Sequence, residues 1–444
     1  MSFIEQVKDS GIIGAGGAGF PTHVKLNSKA DYILLNGAEC EPLLRVDQQL
    51  MAMYPKKIIT GLYLAGKQVE AKRAIIGIKV KHQDVIDILR NKIKELELEA
   101  QVSVQELPDI YPAGDEQVLV YELTGRVVPE TGIPIAVGCV VINTETALNI
   151  FHATQGEPVV DKYVTIAGKV PEPVTVKVPV GTPIRDVIAL SGLKSLAGYA
   201  VIDGGPMMGP LATNLDGFVT KKTKGLVILP EEHNLIRKKQ KEMRSAVTLN
   251  KTACEQCRMC TDLCPRHLLG HSTSPHKMVR AMSYSKMTEQ EELTVAQTCC
   301  QCNLCEYFSC PAGINPKMAN LHFMTEQKKE GIKFVPKKEA YTPRAMRAYR
   351  LVPSKRLIAR IGIKKYDKRA PLRLDIGYAP AQVGISLCAH VGAPAEPTVK
   401  PGDSVKRGDL IGRIPEGKLG AACHASVDGT VASIENGIMI IRGD

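Results

Sequence analysis

Residues 254–265 read CEQCRMCTDLCP, and residues 299–311 read CCQCNLCEYFSCP. In the first run three cysteines, Cys254, Cys257 and Cys260, follow one another at steps of three, and a fourth, Cys264, precedes Pro265. The second run repeats the pattern with Cys299, Cys302, Cys305 and Cys310 before Pro311. Three thiolates at steps of three line a tight loop, so their sulfurs can converge on three irons of one cubane. The cysteine before proline typically ligates the other cluster of such a pair. The pattern therefore predicts two [4Fe–4S] clusters, one on Cys254, Cys257, Cys260 and Cys310, the other on Cys299, Cys302, Cys305 and Cys264. A zinc site would need two pairs separated by a long gap rather than triplets. Two irregularities stand out: four residues instead of three precede Cys310, and Cys300 competes with Cys299 as a ligand. Between the runs, Met278 to Met287 and the following QEEL read as helix, which predicts a small helical ferredoxin-like module. His267, His271 and His276 read as surface or packing residues.

Outward from this segment, 444 residues suggest three or four domains. Nine of the thirteen cysteines fall between Cys254 and Cys310. The N-terminus, MSFIEQVKDSG, has early charges and no apolar core of a signal peptide. The longest apolar runs, such as Ile133 to Ile142, are about half of what a bilayer span requires. These features predict no transmembrane segment, a cytoplasmic location, and cysteines that hold metal rather than disulfides. The net charge of +11 is concentrated between Lys333 and Arg373, where fourteen Lys or Arg face two acidic residues. No nucleic-acid-binding motif surrounds Tyr341, Tyr349 or Tyr366. The segment reads as a solvated basic linker or as a dock for an acidic redox partner.

Toward the N-terminus, Gly14, Gly16 and Gly19 fit a G-x-G-x-x-G loop, with little chain before it for a preceding strand. Tyr32 to Leu35 reads as a short buried strand. A strand at Ala74 to Val80 precedes a helix with apolar residues at Ile86, Leu89, Ile93 and Leu96, so this part is predicted to be α/β. Taken in order, GIIGAGGAGFPTHVK, NGAECEP, YPAGDE and INTET resemble the flavin-binding subunit of respiratory NADH dehydrogenase. They resemble more closely the Rnf complex C subunit and the cobalamin reductases of propanediol-utilisation microcompartments. The resemblance continues through the rest of the chain.

That resemblance implies FMN on the glycine loop, through Gly14, Gly16, Gly17, Gly19 and Lys25. Bare backbone N–H groups can approach a phosphate closely and an ammonium neutralises it. It implies Asn36, Glu39, Glu41, Gly114, Asp115, Glu116 and Asn143 at the flavin and nicotinamide site. Two positions depart from the family: Ala38 replaces an acidic residue and Asp115 a glutamate, which bears on NADH more than on FMN. The strand, strand, helix order from Tyr163 through VTVKVPVGTPIRDVIALSGL resembles the family's β-grasp module. The segment from about Gly384 resembles its barrel-sandwich hybrid, or lipoyl-like, module. There Lys418 lies at the lipoyl-lysine position but without the usual flanks, and Cys388/His390 and Cys423/His424 read as ordinary module residues. The module comes last in the chain, as in the microcompartment cobalamin reductases.

The predicted organisation is multidomain α/β plus β. It comprises an FMN/NADH-binding α/β domain (1–155), a β-grasp domain (156–235) and a two-[4Fe–4S] ferredoxin-like domain (236–332). A basic linker (333–375) and a barrel-sandwich hybrid (376–444) follow. The expected function is an NADH-dependent oxidoreductase without side-chain catalysis. FMN converts a two-electron donor to one-electron clusters, which serve a corrinoid or a protein acceptor. No D-x-H-x-x-G cobalamin-binding stretch is present, so a corrinoid would be a transient substrate. The competing reading is a non-catalytic electron carrier between ferredoxin, or an Rnf-like complex, and a fermentative reductase. Expected partners are a redox protein or corrinoid-dependent enzyme, a microcompartment shell or an Rnf-like complex, with the microcompartment interior as a further location.

Overall fold

The structure is a computed structural model that describes residues 1–284 and 290–443. Its N-terminal layer is a four-stranded parallel sheet. From one edge to the other run Val102–Leu107, Arg73–Lys79, Tyr32–Gly37 and Cys139–Asn143. The chain order is thus 3-2-1-4, and the direction of winding reverses between Tyr32–Gly37 and Cys139–Asn143. Both faces are covered, which explains strands of nearly unbroken apolar residues. Ile33, Leu35, Ile76 and Ile142 pack under helices Val46–Met53, Pro55–Gln68, Gln83–Glu95 and Thr144–Ala153. Leu34, Ile75 and Val141 face helix Glu116–Thr124 instead. Two of these helices nearly touch: a Cβ at Gly61 would stand 2.0 Å from the Ala147 carbonyl oxygen. A side chain there would force the helices apart.

The second layer is a five-stranded mixed sheet. Strand Asp161–Gly168 pairs antiparallel with Val174–Pro179 and parallel with Gly225–Pro230, which pairs in turn with Tyr199–Asp203. Helix Ile184–Ala189 covers its apolar face through Ile184, Val187 and Ile188. The C-terminal segment forms two small sheets around Val383, Ile385, Leu387, Ile411, Val431 and Ile441. It docks against the second layer through Gly384 N to Gly181 O, 2.8 Å, and against the glycine loop through Val391 N to Gly19 O, 3.1 Å.

Residues 333–375 differ from the solvated basic linker read from the sequence. This segment is a strap that touches every layer. Val352–Pro353 pairs with Ile110–Tyr111. Leu372–Arg373 adds a parallel strand to the edge of the second sheet. Between them, Leu357, Ile358, Ile361, Ile363 and Tyr366 are buried. Arg347 pairs with Glu122, and the Tyr341 hydroxyl donates to Glu130 at 2.9 Å. The charge pattern concealed an apolar stripe whose long basic neighbours keep their heads in water.

The cysteine segment is helical, as expected. Pro275–Tyr284 covers most of the helix read from Met278 onward, and Gln290–Leu293, the QEEL stretch, is a short helix as expected. Met287 lies outside the described residues. Among the described residues no helix is long and apolar enough to cross a membrane.

Candidate functional site

In an open parallel sheet, the crevice at the strands' carboxyl ends, where winding reverses, is the place where ligands bind. Here Asn36 and Asn143 end the two strands that flank that crevice, opposite one another in register. The glycine loop is laid across it. Gly14 N bonds the Phe20 carbonyl at 3.0 Å, closing the loop, and Ala15 N donates to Thr146 Oγ1 at 3.1 Å. Gly16, Gly17 and Ala18 are exposed, so their backbone is open to a ligand. A Cβ at Gly16 would come within 3.1 Å of Asn143 Nδ2 and 3.5 Å of Lys224 Nζ, whereas one at Gly17 would meet nothing within 4 Å. Bare backbone, an amide and an ammonium therefore converge on one opening, a donor set that fits a phosphorylated flavin.

A buried charge network supports this loop. Lys162 pairs with Glu145, both almost fully buried, and donates to the Ala15 carbonyl at 3.0 Å. Lys224 pairs with buried Asp47, whose carboxylate also accepts from Asn143 Nδ2 at 3.4 Å. Burial works against the Lys224 ammonium, but Asp47 and Glu39 hold it above its ordinary value. Burial, then Asp47, pushes the Glu39 carboxyl up. The sequence reading missed Lys224, Asp47 and Lys162. The only sequence signal for Lys224 was the basic run Lys221-Lys222-Thr223-Lys224, which carries no fixed spacing to the glycines, and Asp47 and Lys162 stand in no such run.

The predicted site residues separate into two groups. Asn36, Gly114 and Asn143 stay at the crevice: Asn36 Nδ2 donates to the Gly114 carbonyl at 2.9 Å, and Asn143 caps helix Thr144–Ala153. Lys25 lies between the Val141 carbonyl, at 2.9 Å, and exposed Glu116, at 3.3 Å, which uses two of its three donors. The other acidic residues hold structure. Glu39 accepts from Asp47 N at 2.8 Å and Gln48 N at 3.4 Å, capping helix Val46–Met53. Glu41 accepts from Met207 N at 2.8 Å and Met208 N at 3.1 Å in the second layer. Asp115 caps helix Glu116–Thr124 and pairs with Arg266 of the cysteine segment at 2.8 Å.

The two cysteine runs make the same turn. Gln256 and Arg258 have φ of 51° and 65°, and Gln301 and Asn303 have 56° and 61°. Left-handed backbone at non-glycine residues is costly and collects at functional sites. This register sets Cys254 against Cys299, Cys257 against Cys302 and Cys260 against Cys305. The extra residue before Cys310 is taken up by a π-helical turn, Leu304–Ser309, the usual way for a helix to absorb an insertion.

The thiols of each run gather with one from the other. Burial, then Cys310, Cys254 and Cys257, pushes Cys260 up to about 12. Burial, then Cys300 and Cys299, pushes Cys264 up. Cys305 rises through burial, with Cys299, Cys264 and Cys260 among its neighbours, so the two sets also lie side by side. Crowded buried thiols of this kind ionise only against a strong positive charge, and iron supplies one. No three His, Cys, Asp or Glu among the described residues close on a single-ion site. A cubane does not require that, because each thiolate binds its own iron.

The second set is built against the wall of the crevice. The Tyr111 hydroxyl donates to the Cys302 carbonyl at 2.8 Å and to Glu41 at 3.3 Å. Asn303 Nδ2 donates to the Met207 carbonyl at 2.6 Å. The first set faces outward, with Cys257 exposed.

Four domain families match the chain. They are the Nuo51 FMN-binding domain over residues 7–152, the SLBB domain over 163–211, the 4Fe-4S dicluster domain over 253–315, and the RnfC barrel sandwich hybrid domain over 362–442. The chain is similar to Cobalamin reductase PduS of Citrobacter freundii, 43% identical over 445 residues, covering 99% of this chain and 96% of that protein. It is 41% identical over 442 residues to Cobalamin reductase PduS of Salmonella typhimurium strain LT2, again covering 99% and 96%. It is also similar to the C component of the Na(+)-translocating ferredoxin:NAD(+) oxidoreductase complex of Acetobacterium woodii. That match is 36% identical over 270 residues, covering 60% of this chain and 58% of that protein.

Proposed function

This chain belongs to the family of the cobalamin reductases PduS, and from that premise we propose that it carries electrons from NADH to a corrinoid through FMN and two [4Fe–4S] clusters. It is an electron-transfer oxidoreductase with an FMN-binding domain and an iron–sulfur domain. A flavin supplies the conversion from a two-electron donor to one-electron acceptors. The chain's own part is to bind, orient and insulate. The open backbone of Gly16 to Ala18 receives the phosphate, Lys224 neutralises it, and Asn36 and Asn143 present amides at the sheet edge. Cys299, Cys302, Cys305 and Cys264 hold the inner cluster, and Cys254, Cys257, Cys260 and Cys310 the outer one. Cys299 rather than Cys300 is assigned as ligand, because it occupies the position of Cys254 in the repeated turn.

The observation that carries this reading is the seating of the inner cysteine set on the crevice wall, through Tyr111 to Cys302 in one run and Asp115 to Arg266, two residues after Cys264, in the other. The electron path then runs from crevice to inner set to outer set, and leaves near exposed Cys257. Its acceptor is a corrinoid or a corrinoid-dependent enzyme, and the place of work is the cytoplasm or a bacterial microcompartment within it. NADH is the donor in this reading although Ala38 lacks the family's carboxylate.

The test is an anaerobic titration of cluster-reconstituted protein with NADH, followed by visible spectroscopy. Bleaching of the flavin band and then of the cluster absorbance is expected, with aquocobalamin reduced on addition. Clusters that respond to dithionite but not to NADH would overturn the NADH-dependent reading in favour of a carrier fed by another protein.

A further inference from the structure

Each cluster has one cysteine followed by proline, and the next residue differs between the two. After Cys264-Pro265 comes Arg266; after Cys310-Pro311 comes Ala312. Arg266 stands in the first turn of the short helix Pro265–Leu268, and its side chain retains only 11% exposure. One arm of its fork, Nη2, donates to Asp115 Oδ2 at 2.8 Å. The guanidinium also meets the Cys300 sulfur and lies beside Cys264, while its Nε is buried with no partner in the protein. A buried guanidinium N–H without an acceptor is destabilising, because it has given up its water without a replacement partner. The fork is therefore anchored on Asp115, while its buried Nε has no acceptor in the protein, two residues from the inner-set cysteine Cys264 and against Cys300, the neighbour of Cys299. Asp115 cannot swing away, because its Oδ1 holds Gln117 N and Val118 N at the start of helix Glu116–Thr124.

We infer that Arg266, anchored by Asp115, is a positioning residue that donates a hydrogen bond to a sulfur of the inner cluster and raises that cluster's reduction potential above the outer one's. Adding one electron to a cluster adds one negative charge. A fixed cation and an N–H donor at the sulfur both favour the reduced form, and hydrogen bonds to sulfur are among the main determinants of cluster potential. Low local dielectric strengthens the effect, and only a planar fork can serve the carboxylate and the sulfur together. Ala312 supplies no such cation at the outer set, where the Cys254 sulfur accepts from the neutral, exposed Gln256 amide at 3.1 Å. The arrangement makes the inner cluster the ready acceptor beside the crevice.

This inference rests on the dicluster reading above, so the iron content of the wild-type chain is measured first. A wild type that takes up no iron would sink that reading rather than this one. Arg266→Gln and Arg266→Lys are then compared with wild type in EPR-monitored redox titrations of the full-length, reconstituted protein. Arg266→Gln is expected to lower the reduced-to-oxidised ratio of one cluster about tenfold at fixed potential, about 59 mV for a one-electron couple, with the other cluster unmoved. Arg266→Lys keeps the charge but not the fork, and is expected to shift the same cluster in the same direction by less. If Arg266→Gln does not assemble, the lysine variant carries the test. Unchanged midpoints in an assembled variant would overturn the inference. Loss of clusters in the lysine variant as well would also overturn it, in favour of a purely structural role.

Discussion

The two cysteine runs share a turn and differ in everything around it. In the outer run Cys257 is exposed and Arg258 points its side chain into solvent beside Asp262. In the inner run Cys302 and Cys305 are buried, and Asn303, the counterpart of Arg258, is buried against Met207. In the proposed electron path one backbone design thus serves two jobs: a terminal that meets an acceptor, and a relay sealed between two domains. Ligand spacing sets what a cluster is, and its surroundings set what it exchanges electrons with.

The comparison is broken most severely by removing a ligand from each run. Cys302→Ser and Cys257→Ser should each lose about half the iron, four atoms per cubane. Only Cys302→Ser should also abolish NADH-driven bleaching of the cluster that remains. Iron assay with anaerobic titration decides it, and equal effects of the two variants would remove the distinction between relay and terminal. Next in size is the choice between neighbours. Cys299→Ser should lose the inner cluster, whereas Cys300→Ser should retain full iron content and both EPR signals.

Smaller effects probe the surroundings. Tyr111→Phe leaves the Cys302 carbonyl without its donor and should destabilise the protein by about 1–3 kcal/mol, read as a lower midpoint in a denaturant melt of the reconstituted chain. Smallest is a pair at the left-handed positions. Asn303→Gly should cost about 1 kcal/mol through its lost bond to Met207. Arg258→Gly, exposed and relieved of its strained φ, should stay within about 0.5 kcal/mol of wild type. If both variants melted alike, the inner turn would be no more tightly built than the outer.

Much of this molecule was legible because its signals are local. Steps of three between cysteines need only a short loop to bring sulfurs together, and the glycine loop needs only the freedom of its own backbone. The alternation of strand and helix from Tyr32 to Leu96 carried the α/β layer in the same way. The strap between Lys333 and Arg373 was misread for the opposite reason. Its Leu357, Ile358, Ile361 and Ile363 are spaced as a buried stripe, but fourteen basic residues dominate any average over the segment. The family resemblance places Glu41 and Asp115 at the flavin and nicotinamide site, but it carries no signal of what holds them in the fold. Their partners, Met207, Met208 and Arg266, are more than a hundred residues away.

By itself, then, the sequence determined the number of cysteine sets and the repeat that relates them, since both follow from spacing along the chain, and the order of the modules followed from the resemblance of its motifs to a known family. The tertiary structure alone decided which set faces the crevice, which carboxylates hold domains together and where Lys224 and Arg266 place their charge. Those outcomes depend on distances between segments remote in sequence. Such distances are fixed by how apolar faces pack, not by any pattern a single segment carries.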